Sequence, residues 1–439
     1  MGKADSSITR RQFLGATAGG TIVSAVSTRA WTRVQGANDR VRLGLIGCGT
    51  RGAQVSNFFL KHADAQYVAA ADVFKTRLDN WITTFRDKQN GATIEPCEDY
   101  RRILDRKDVD AVHIATPDHW HCQIVIDAIA AGKDIYVEKP LSNTVDRAVA
   151  ALQAYRRSNR VVQIGTQQRS GQHFQEAAQI VQSGELGTIT HAVLVYGGNG
   201  YGRAPEPETQ PPAGLNWDMF QGPAPRHAYK QSRQTGWRGW WDYGGGLITD
   251  WGVHLTDIAL WYLNSQHVGP LLTSAAAQYV NLDDPNREKS PDAVVVTWQY
   301  PKFVMSFTNA VVTDAEFGRQ GNYFFSPRGS LLIHRGGYEV RANPGRGGGP
   351  GGRGAAPGQA PPQAPLNARR VPYSENYQDD PHTIQHVRNF LDCIKSRQKP
   401  VSDLEIGFYA SLPCLLGVMA VREGQSFKWD DQALKAVAV

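Results

Sequence analysis

The chain has 439 residues, of which 41% are hydrophobic and 20% are charged. This composition is typical of a globular protein, and the length suits two domains. The formal net charge of +6 comes from two segments: residues 1–37 hold five basic residues and one acid, and residues 341–370 hold five arginines and no acid. Without those charges of +4 and +5 the rest of the chain carries −3. Because nucleic-acid binding needs basic residues clustered on a folded surface, we expect no nucleic-acid partner.

The start of the chain has the pattern of an export signal. Thr9-Arg10-Arg11-Gln12-Phe13-Leu14 precedes a weakly apolar, glycine-rich run over 15–26, with small residues near 27–30. We interpret residues 1–37 as a twin-arginine signal peptide and expect an exported, periplasmic protein. The alternative is a basic N-terminus beside a short amphipathic helix. No other stretch approaches 18 apolar residues, so we expect no membrane insertion after the signal is removed.

A glycine-rich turn follows the first strand-like run. Val41–Ile46 is apolar and leads into Gly47-Cys48-Gly49-Thr50-Arg51-Gly52, after which a helical pattern continues over 53–62. In a dinucleotide-binding fold such glycines form the tight turn, let the pyrophosphate approach the backbone and let helix and strand pack closely. The pyrophosphate would then lie at the helix N-terminus, where free N–H groups favour anions.

The next strand, predicted over 67–72, ends in Asp72, which lies 20 residues after Gly52. A carboxylate at this position can accept hydrogen bonds from an adenosine ribose, and its charge would repel a 2′-phosphate. We therefore expect NAD rather than NADP, although Arg77 lies close enough to weaken that preference.

Strands and helices continue to alternate up to residue 165. Val109–Ala115 ends at Thr116-Pro117-Asp118-His119-Trp120-His121, and Asp134–Val137 ends at Glu138-Lys139-Pro140. This alternation predicts an α/β domain over 38–165, a Rossmann domain with a doubly wound parallel sheet. Ligands of such sheets bind at the carboxyl ends of the strands, and both polar segments lie there.

After residue 165 the pattern changes to α+β. A helix over 172–183 precedes strand-like runs between 190 and 334, which predict a C-terminal domain over 166–425 with a large, mostly antiparallel, open sheet. Residues 201–229 form a long Pro-rich loop of a kind that is usually functional. Residues 341–368 hold 14 glycines and prolines in 28 positions, which indicates a disordered insertion. Two helices, over 383–395 and 404–423, are predicted near the C-terminus.

The segment Asp242–His254 contains three consecutive glycines and then an apolar, helix-like run that carries Asp250 and His254. Residues four apart on a helix share a face, so both side chains would point into the same space. An imidazole titrates near neutral pH and is suited to carry the proton when an alcohol is oxidised. The alternative is that His254 is a packing residue.

In combination these motifs resemble the Gfo/Idh/MocA oxidoreductases, a family that includes glucose-fructose oxidoreductases and inositol dehydrogenases. The matching residues are the glycine turn 47–52, Asp72, the segment 115–121, Glu138-Lys139-Pro140, the segment 244–254 and the helix 389–401. The resemblance spans about 40–425 and is interrupted by the insertion at 341–368.

The resemblance implies a nicotinamide enzyme in which Lys139 and His254 serve the reacting hydroxyl. His254 would take the O–H proton, Asp250 would bind substrate or orient the imidazole, and Lys139 would stabilise alkoxide charge. The alternative for Lys139 is a solvated surface lysine; Pro140 restricts its backbone, and the bond between the two could be cis. The residues expected to contact the dinucleotide are Gly47, Gly49, Thr50, Arg51, Gly52, Asp72, Thr116, Pro117, His119, His121, Glu138 and Lys139.

No metal site is expected. His119 and His121 flank Trp120 in a His-x-His pattern that occurs in metal sites, but no other ligand lies at convincing spacing, and the resemblance implies that this loop packs beside the nicotinamide. The cysteines at 48, 97, 122, 393 and 414 are isolated in sequence. We therefore expect free thiols without metal or disulfide roles.

Aromatic residues between 237 and 261 indicate a carbohydrate site. Five of the 11 tryptophans fall in that window, and the flat C–H faces of sugars stack on aromatic rings. We expect most of these rings in the core and select Trp240 and Trp241 as pocket residues. Gln167, Arg169 and His173, just beyond the last Rossmann strand, are candidates for binding substrate hydroxyls.

The leading hypothesis is an exported oxidoreductase that transfers hydride between NAD(P) and a hydroxyl of a sugar, cyclitol or glycoside. We expect the cofactor to be NAD and tightly bound, because free NAD is scarce outside the cytoplasm. One alternative is a glycoside hydrolase that works by transient C3 oxidation and elimination, as in some relatives. Another is a non-catalytic sugar-binding protein on the same fold. A homo-oligomer, dimer or tetramer, is expected because open sheets often pair between subunits.

Overall fold

A computed structural model describes residues 40–198, 206–279, 287–309, 320–343, 366–372 and 380–439. The predicted export signal at 1–37 and most of the predicted insertion at 341–368 lie outside the described residues. Both therefore stay predictions from the sequence.

The first part of the chain forms a parallel six-stranded sheet. Its strands are β1 (Val41–Ile46), β2 (Ala65–Ala71), β3 (Glu95–Cys97), β4 (Ala111–Ile114), β5 (Asp134–Val137) and β6 (Val162–Ile164), in the order β3-β2-β1-β4-β5-β6. Its helices are α1 (Thr50–Phe59), α2 (Lys75–Lys88), α3 (Arg101–Leu104), α4 (Asp118–Ala130) and α5 (Val145–Arg156). The order reverses between β1 and β4, which makes the gap at their carboxyl ends the expected ligand site. The predicted doubly wound sheet is confirmed.

The second part forms a ten-stranded sheet with the order β14-β13-β12-β11-β7-β10-β9-β8-β15-β16. The strands are β7 (His191–Tyr196), β8 (Leu272–Gln278), β9 (Ala293–Gln299), β10 (Val304–Thr308), β11 (Gln320–Ser326), β12 (Gly329–His334), β13 (Gly337–Ala342), β14 (Arg369–Pro372), β15 (Phe427–Asp430) and β16 (Lys435–Ala438). β7 and β10 run parallel, and the other described pairs are antiparallel. This confirms the predicted α+β architecture.

Seven further helices follow α5 in the described part of the chain. They are α6 (Gln172–Gln182), α7 (Trp217–Gln221), α8 (Gln231–Thr235), α9 (Gly246–Asp250), α10 (Gly252–Tyr262), α11 (Pro381–Ser396) and α12 (Leu404–Glu423). Short 3₁₀ turns cover Gln167–Ser170 and Trp237–Gly239.

Helix α11 packs on the first sheet, although the predicted domain boundary of 166–425 assigned it to the second. Its Val387 and Phe390 share a buried cluster with Phe59 of α1, and the ring centroids of Phe59 and Phe390 are 6.2 Å apart. Helical periodicity shows which face of a helix is apolar but not which partner covers that face. Helix α11 therefore contributes to the core of the first sheet although it lies late in the sequence.

Helix α12 joins the two hydrophobic cores. Leu404 and Phe408 belong to the cluster around β4 and β5, whereas Cys414 and Val418 belong to the cluster under the ten-stranded sheet. By length and composition alone α12 could cross a membrane, and most of it is buried inside the protein. β15 and β16 follow it and extend the second sheet beyond residue 425, where the predicted domain ended.

The helix predicted through Asp250 and His254 is divided into two. α9 ends at Asp250, α10 begins at Gly252, and Trp251 lies between them. The division lies where α12 approaches, since a Cβ at Gly252 would be 3.0 Å from the Sγ of Cys414. The sequence periodicity is continuous across this point, so it does not reveal the division.

Candidate active site

The turn between β1 and α1 leaves space for a ligand. Gly47 has φ +99°, a conformation that favours glycine. A Cβ at Gly52 would lie 2.1 Å from the carbonyl oxygen of Gly47, so α1 approaches the turn only because no side chain is present there. α1 begins at Thr50 without a side-chain cap, which leaves its first N–H groups available for an anion. The residues of this turn therefore fit a pyrophosphate.

Asp72 is fixed at the end of β2. Its Oδ2 accepts a hydrogen bond from the N–H of Cys48 (2.7 Å), and its Oδ1 accepts one from the N–H of Phe74 (2.8 Å). Burial raises the pKa of Asp72, while the two N–H groups and Arg77 oppose that rise. Asp72 and Arg77 line the same end of a pocket that starts at the glycine turn.

This pocket runs without interruption from Asp72 to His254. Arg51 and Glu138 line its middle, and Arg51 Nε donates to Glu138 Oε1 (2.8 Å), which ties the turn to the end of β5. Gly52 lies behind the turn in a packing position. The predicted cofactor residues that line the pocket are Gly47, Gly49, Thr50, Arg51, Asp72, Thr116, Pro117, His121, Glu138 and Lys139.

Lys139 and Asp250 meet at the end of the pocket opposite Asp72. Lys139 Nζ donates to Asp250 Oδ1 (2.7 Å) and to the carbonyl oxygen of Asp250 (2.5 Å). The Nε of Arg238 is 3.3 Å from the same Oδ1, so two cations share one carboxylate. The bond between Lys139 and Pro140 is cis, as the sequence allowed.

His254 lines the pocket beside this ion pair. Burial lowers the pKa of His254 well below its usual value, and the charges of Lys139 and Arg335 lower it further. The imidazole is therefore neutral near pH 7 and able to accept a proton. Its Nδ1 is buried without a hydrogen-bond partner among the described residues.

Two other polar atoms on the pocket wall are also buried without a hydrogen-bond partner among the described residues. Thr116 Oγ1, at the end of β4, and Gln167 Oε1, after β6, are buried and have no hydrogen-bond partner in the described part of the chain. Buried polar atoms in proteins are almost always paired. Together with His254 Nδ1 these atoms provide hydrogen-bonding capacity for a polar ligand.

Two predicted substrate residues lie away from the pocket, and this corrects the prediction. Arg169 is buried and forms a bidentate pair with Asp257, with its Nε 2.8 and 2.9 Å from the two carboxylate oxygens. His173 is buried, and its Nε2 is 3.1 Å from the carbonyl oxygen of His334. Neither lines the pocket. Their closeness in sequence to the last strand of the first sheet was misleading because the chain turns into the second domain there.

Trp240, Trp241 and His119 are also outside the pocket lining. Trp240 lies under the guanidinium of Arg233, whose Cζ is 3.9 Å from the ring centroid, and Trp241 belongs to the core under the ten-stranded sheet. His119 Nε2 is 2.9 Å from the carbonyl oxygen of Phe220. These three side chains therefore have structural contacts, and none of them lies in the pocket wall where the sequence predicted them.

His121, the other half of the His-x-His pattern, connects two segments at the pocket wall. Its Nδ1 is 2.7 Å from the carbonyl oxygen of Pro140, and its Nε2 is 2.9 Å from that of Thr116. No cluster of three or more potential metal ligands occurs among the residues that the structure describes. All five cysteines are buried free thiols.

Sequence reasoning missed several residues of the pocket wall. The tryptophans that line it are Trp237 and Trp251, which fall in the predicted aromatic window but were not selected. Arg335, in the turn between β12 and β13, has its Cζ 4.6 Å from the ring centroid of Trp251. No local pattern identifies Arg335, because only the sheet brings that turn to the pocket.

The chain matches known oxidoreductase families over most of its length. Residues 41–166 match the oxidoreductase family with the NAD-binding Rossmann fold, and residues 170–332 match the oxidoreductase-family C-terminal alpha/beta domain. The chain is 25% identical over 295 residues to the uncharacterized oxidoreductase YrbE of Bacillus subtilis, covering 67% of this chain and 71% of that protein. It is 26% identical over 297 residues to inositol 2-dehydrogenase 2 of Saccharopolyspora erythraea, covering 66% and 70%.

A shorter match links the chain to a glycosidase. It is 27% identical over 159 residues to alpha-N-acetylgalactosaminidase of Shewanella oneidensis, but this match covers only 36% of this chain and 35% of that protein.

Solved structures share the fold at low sequence identity. The aldose-aldose oxidoreductase of Caulobacter crescentus, complexed with glycerol, has a TM-score of 0.61 at 20% identity and covers 89% of this chain and 99% of its own. The WlbA dehydrogenase of Bordetella pertussis, in complex with NADH and UDP-GlcNAcA, has a TM-score of 0.61 at 15% identity with the same coverage. The two family matches together cover more than half of the sequence. The chain belongs to the Gfo/Idh/MocA family of NAD-binding oxidoreductases.

Proposed function

We propose that the protein is an exported NAD-dependent dehydrogenase that transfers hydride between the nicotinamide and a hydroxyl group of a sugar, cyclitol or glycoside. One observation carries the proposal: Lys139, Asp250 and His254 converge at one end of a pocket whose other end is formed by the glycine turn and Asp72. A proton-accepting group and a cation thus lie at the place where a substrate hydroxyl would meet the reactive end of a dinucleotide.

The residues divide the work of oxidising an alcohol. His254, neutral because of its burial, accepts the O–H proton of the substrate. Lys139 uses two of its donors on Asp250 and directs the third at the hydroxyl oxygen, where negative charge develops. Asp250 positions Lys139 and compensates its charge. When bound, the nicotinamide supplies the hydride acceptor.

We assign NAD as the cofactor in preference to NADP. The carboxylate of Asp72 at the adenosine end disfavours a 2′-phosphate, although Arg77 lies beside it. We also assign tight binding, with recycling of the cofactor on the enzyme, because an exported protein meets little free NAD.

Several observations support a carbohydrate or cyclitol substrate. Trp237 and Trp251 line the pocket, each with an arginine guanidinium over its ring, Arg238 and Arg335 respectively, so this wall combines aromatic surface with hydrogen-bond donors, which suits a polyhydroxylated ligand. Thr116 and Gln167 add buried polar atoms that have no hydrogen-bond partner among the residues that the structure describes. Relatives named as an inositol dehydrogenase and an aldose-aldose oxidoreductase have the same general chemistry.

The decisive experiment is denaturing release of nucleotide from the purified protein, followed by a panel of sugars and cyclitols. We expect one equivalent of NAD and reduction of that NAD by one class of substrate. If the Lys139→Ala protein still binds NAD but its NAD is no longer reduced by the substrate, the activity is assigned to this site. A protein that contains and binds no dinucleotide would contradict the proposal.

A redox-assisted glycoside hydrolase is the second candidate, because the chain is similar over 159 residues to a protein named alpha-N-acetylgalactosaminidase. Cleavage of a nitrophenyl glycoside without net NADH would favour it. Calorimetric binding of a sugar with no turnover of any kind would favour a non-catalytic binding protein instead.

Export and assembly are tested separately. Replacing both signal arginines with lysine (Arg10→Lys, Arg11→Lys) should retain the protein in the cytoplasm, as fractionation would reveal, and secretion of this variant would contradict a twin-arginine signal. We further propose a homo-oligomer, dimer or tetramer, that pairs through the ten-stranded sheet. Light scattering that gives a monomer at micromolar concentration would contradict it.

A further inference from the structure

A segment of the second domain lies across the nucleotide half of the pocket. We call residues 214–223 the strap; they belong to the Pro-rich stretch in which the sequence predicted a functional loop. At its first end, the N–H of Lys75 donates to Gly214 O (2.8 Å), and the N–H of Asn216 donates to Val73 O (2.8 Å). Asn216 Nδ2 also donates to Glu98 Oε1 (2.9 Å). The strap is thus joined to the residues that directly follow Asp72.

The other end of the strap is held by helices α4 and α5. Trp120 Nε1 donates to the carbonyl oxygens of Met219 (3.1 Å) and Phe220 (3.0 Å). Arg147 Nη2 donates to Pro223 O (2.6 Å). The two attachments therefore lie on opposite sides of the β1–β4 switch point, so the strap crosses the mouth of the cleft.

The inner surface of the strap is part of the pocket wall. Its Leu215, Met219 and Phe220 line the pocket together with Asp72 and Tyr100 of the Rossmann domain. Four of these five side chains are apolar or aromatic, which suits the flat face of an adenine. An adenosine next to Asp72 would be enclosed between the sheet edge and the strap.

We propose that the strap is part of the cofactor site. It contacts the adenosine half of the bound dinucleotide and prevents exchange of the cofactor between turnovers. This inference rests on dinucleotide binding in the proposed function and adds the element that retains it. The cofactor leaves only when the strap detaches, and detachment breaks the hydrogen bonds at both of its ends.

The test measures exchange of bound nucleotide rather than activity. The purified holoenzyme is mixed with excess isotope-labelled NAD, desalted at intervals, and the bound nucleotide is analysed by mass spectrometry. We expect exchange in the wild-type protein to be far slower than turnover.

Two variants weaken the strap at residues that do not themselves line the pocket. A Cβ at Gly222 would lie 2.0 Å from Cζ2 of Trp120, so Gly222→Ala pushes the strap off α4. Asn216→Ala removes the bond to Glu98 and also the N-cap bond that Asn216 Oδ1 accepts from the N–H of Met219 (3.1 Å), and it introduces no steric clash. The matched control is Gly184→Ala, which has a similar positive φ of +78° and no atom near its added Cβ.

We expect both strap variants to exchange nucleotide at least about tenfold faster than the wild type, the factor expected when an anchoring hydrogen bond is lost. The control should exchange at the wild-type rate. Rapid exchange in the wild type, or wild-type exchange rates in a folded Asn216→Ala protein, would overturn the proposal. A wild-type protein that binds no dinucleotide would instead contradict the proposed function itself.

Discussion

Lys139 and Asp250 are 111 residues apart in the chain, and their side chains meet with Nζ 2.7 Å from Oδ1. Lys139 comes from the end of a strand in the first sheet, and Asp250 ends a helix that packs beside the second. This contact joins the nucleotide-binding part of the chain to the substrate-binding part. Asp250 pairs with both Lys139 and Arg238, and the proposed function therefore assigns proton acceptance to the neutral His254.

The Lys139–Asp250 pair is expected to act as a unit. Lys139→Met and Asp250→Asn should each lower kcat/KM by about 10²–10³, the usual cost of losing a charge-stabilising donor. The double variant should lose little more than either single one, because both changes break the same contact. Steady-state kinetics on the three proteins measures this, with the exposed Lys107→Met as the control. Additive losses would mean that the two residues act independently.

The pH dependence of oxidation should reflect the environment of His254. A base must be deprotonated to accept a proton, and the pKa of His254 lies well below its usual value. The acid limb of kcat/KM should therefore fall below about pH 6.5, the ordinary pKa of histidine, with a plateau through neutrality. His254→Asn should lower the rate by about 10²–10⁴ and abolish that limb. If the acid limb of kcat/KM is unchanged in this variant, a group other than His254 is responsible for it.

Arg169 is expected to matter for stability and not for substrate binding. It faces Asp257 in a pair whose side chains are 4% and 0% exposed. Arg169→Met leaves a buried carboxylate without its partner and should lower the free energy of unfolding by about 3–5 kcal/mol. Adding Asp257→Leu should recover part of that loss. Urea denaturation tests both, and KM of the folded fraction should not change. A raised KM at unchanged stability would restore the predicted substrate role.

Acid should destabilise the fold through buried neutral histidines. Burial lowers the pKa of His113 to about 3, whereas the unfolded chain has an ordinary pKa of about 6.5. Between those values the unfolded state holds the extra proton, so this contribution to stability falls as the pH falls, by about 1.4 kcal/mol per pH unit.

A His113→Gln variant isolates this contribution. It loses the contact with the hydroxyl of Tyr67 (2.9 Å), so it should be less stable than the wild type at pH 7. The difference in free energy of unfolding between the wild type and the variant should decrease steadily from about pH 6 to about pH 4, because only the wild type loses the contribution of His113. The exposed His191→Gln serves as the control. If this difference in free energy of unfolding stays constant over that range, the pKa of His113 does not differ between the folded and unfolded states.

The part of the site that could be predicted from sequence is the part built from local patterns. The glycine turn, Asp72 and Glu138-Lys139-Pro140 each follow directly from a strand, and a parallel sheet brings strand ends to one edge. His254 was placed in the pocket through its helix and the family resemblance. In each case the sequence next to the residue carries the information.

The residues that were misassigned depend on distant partners. Arg169 was chosen for its position after β6, but Asp257, 88 residues later, binds its guanidinium. Trp240 was chosen for its ring, but Arg233 covers that ring. Arg335 reaches the pocket only because a β-turn of the second sheet is folded against Trp251. A single sequence contains no signal for such pairings.

Helix α12 has a consequence for how the molecule folds and unfolds. One face of this helix, with Leu404, Phe408 and Leu412, completes the core of the nucleotide-binding sheet, and another face, with Ala410, Cys414 and Val418, completes the core of the second sheet. Neither core is complete until residues 404–423 have been synthesised. The two halves are therefore expected to melt in a single cooperative transition, and a fragment that ends before residue 380 would be left with both cores incomplete.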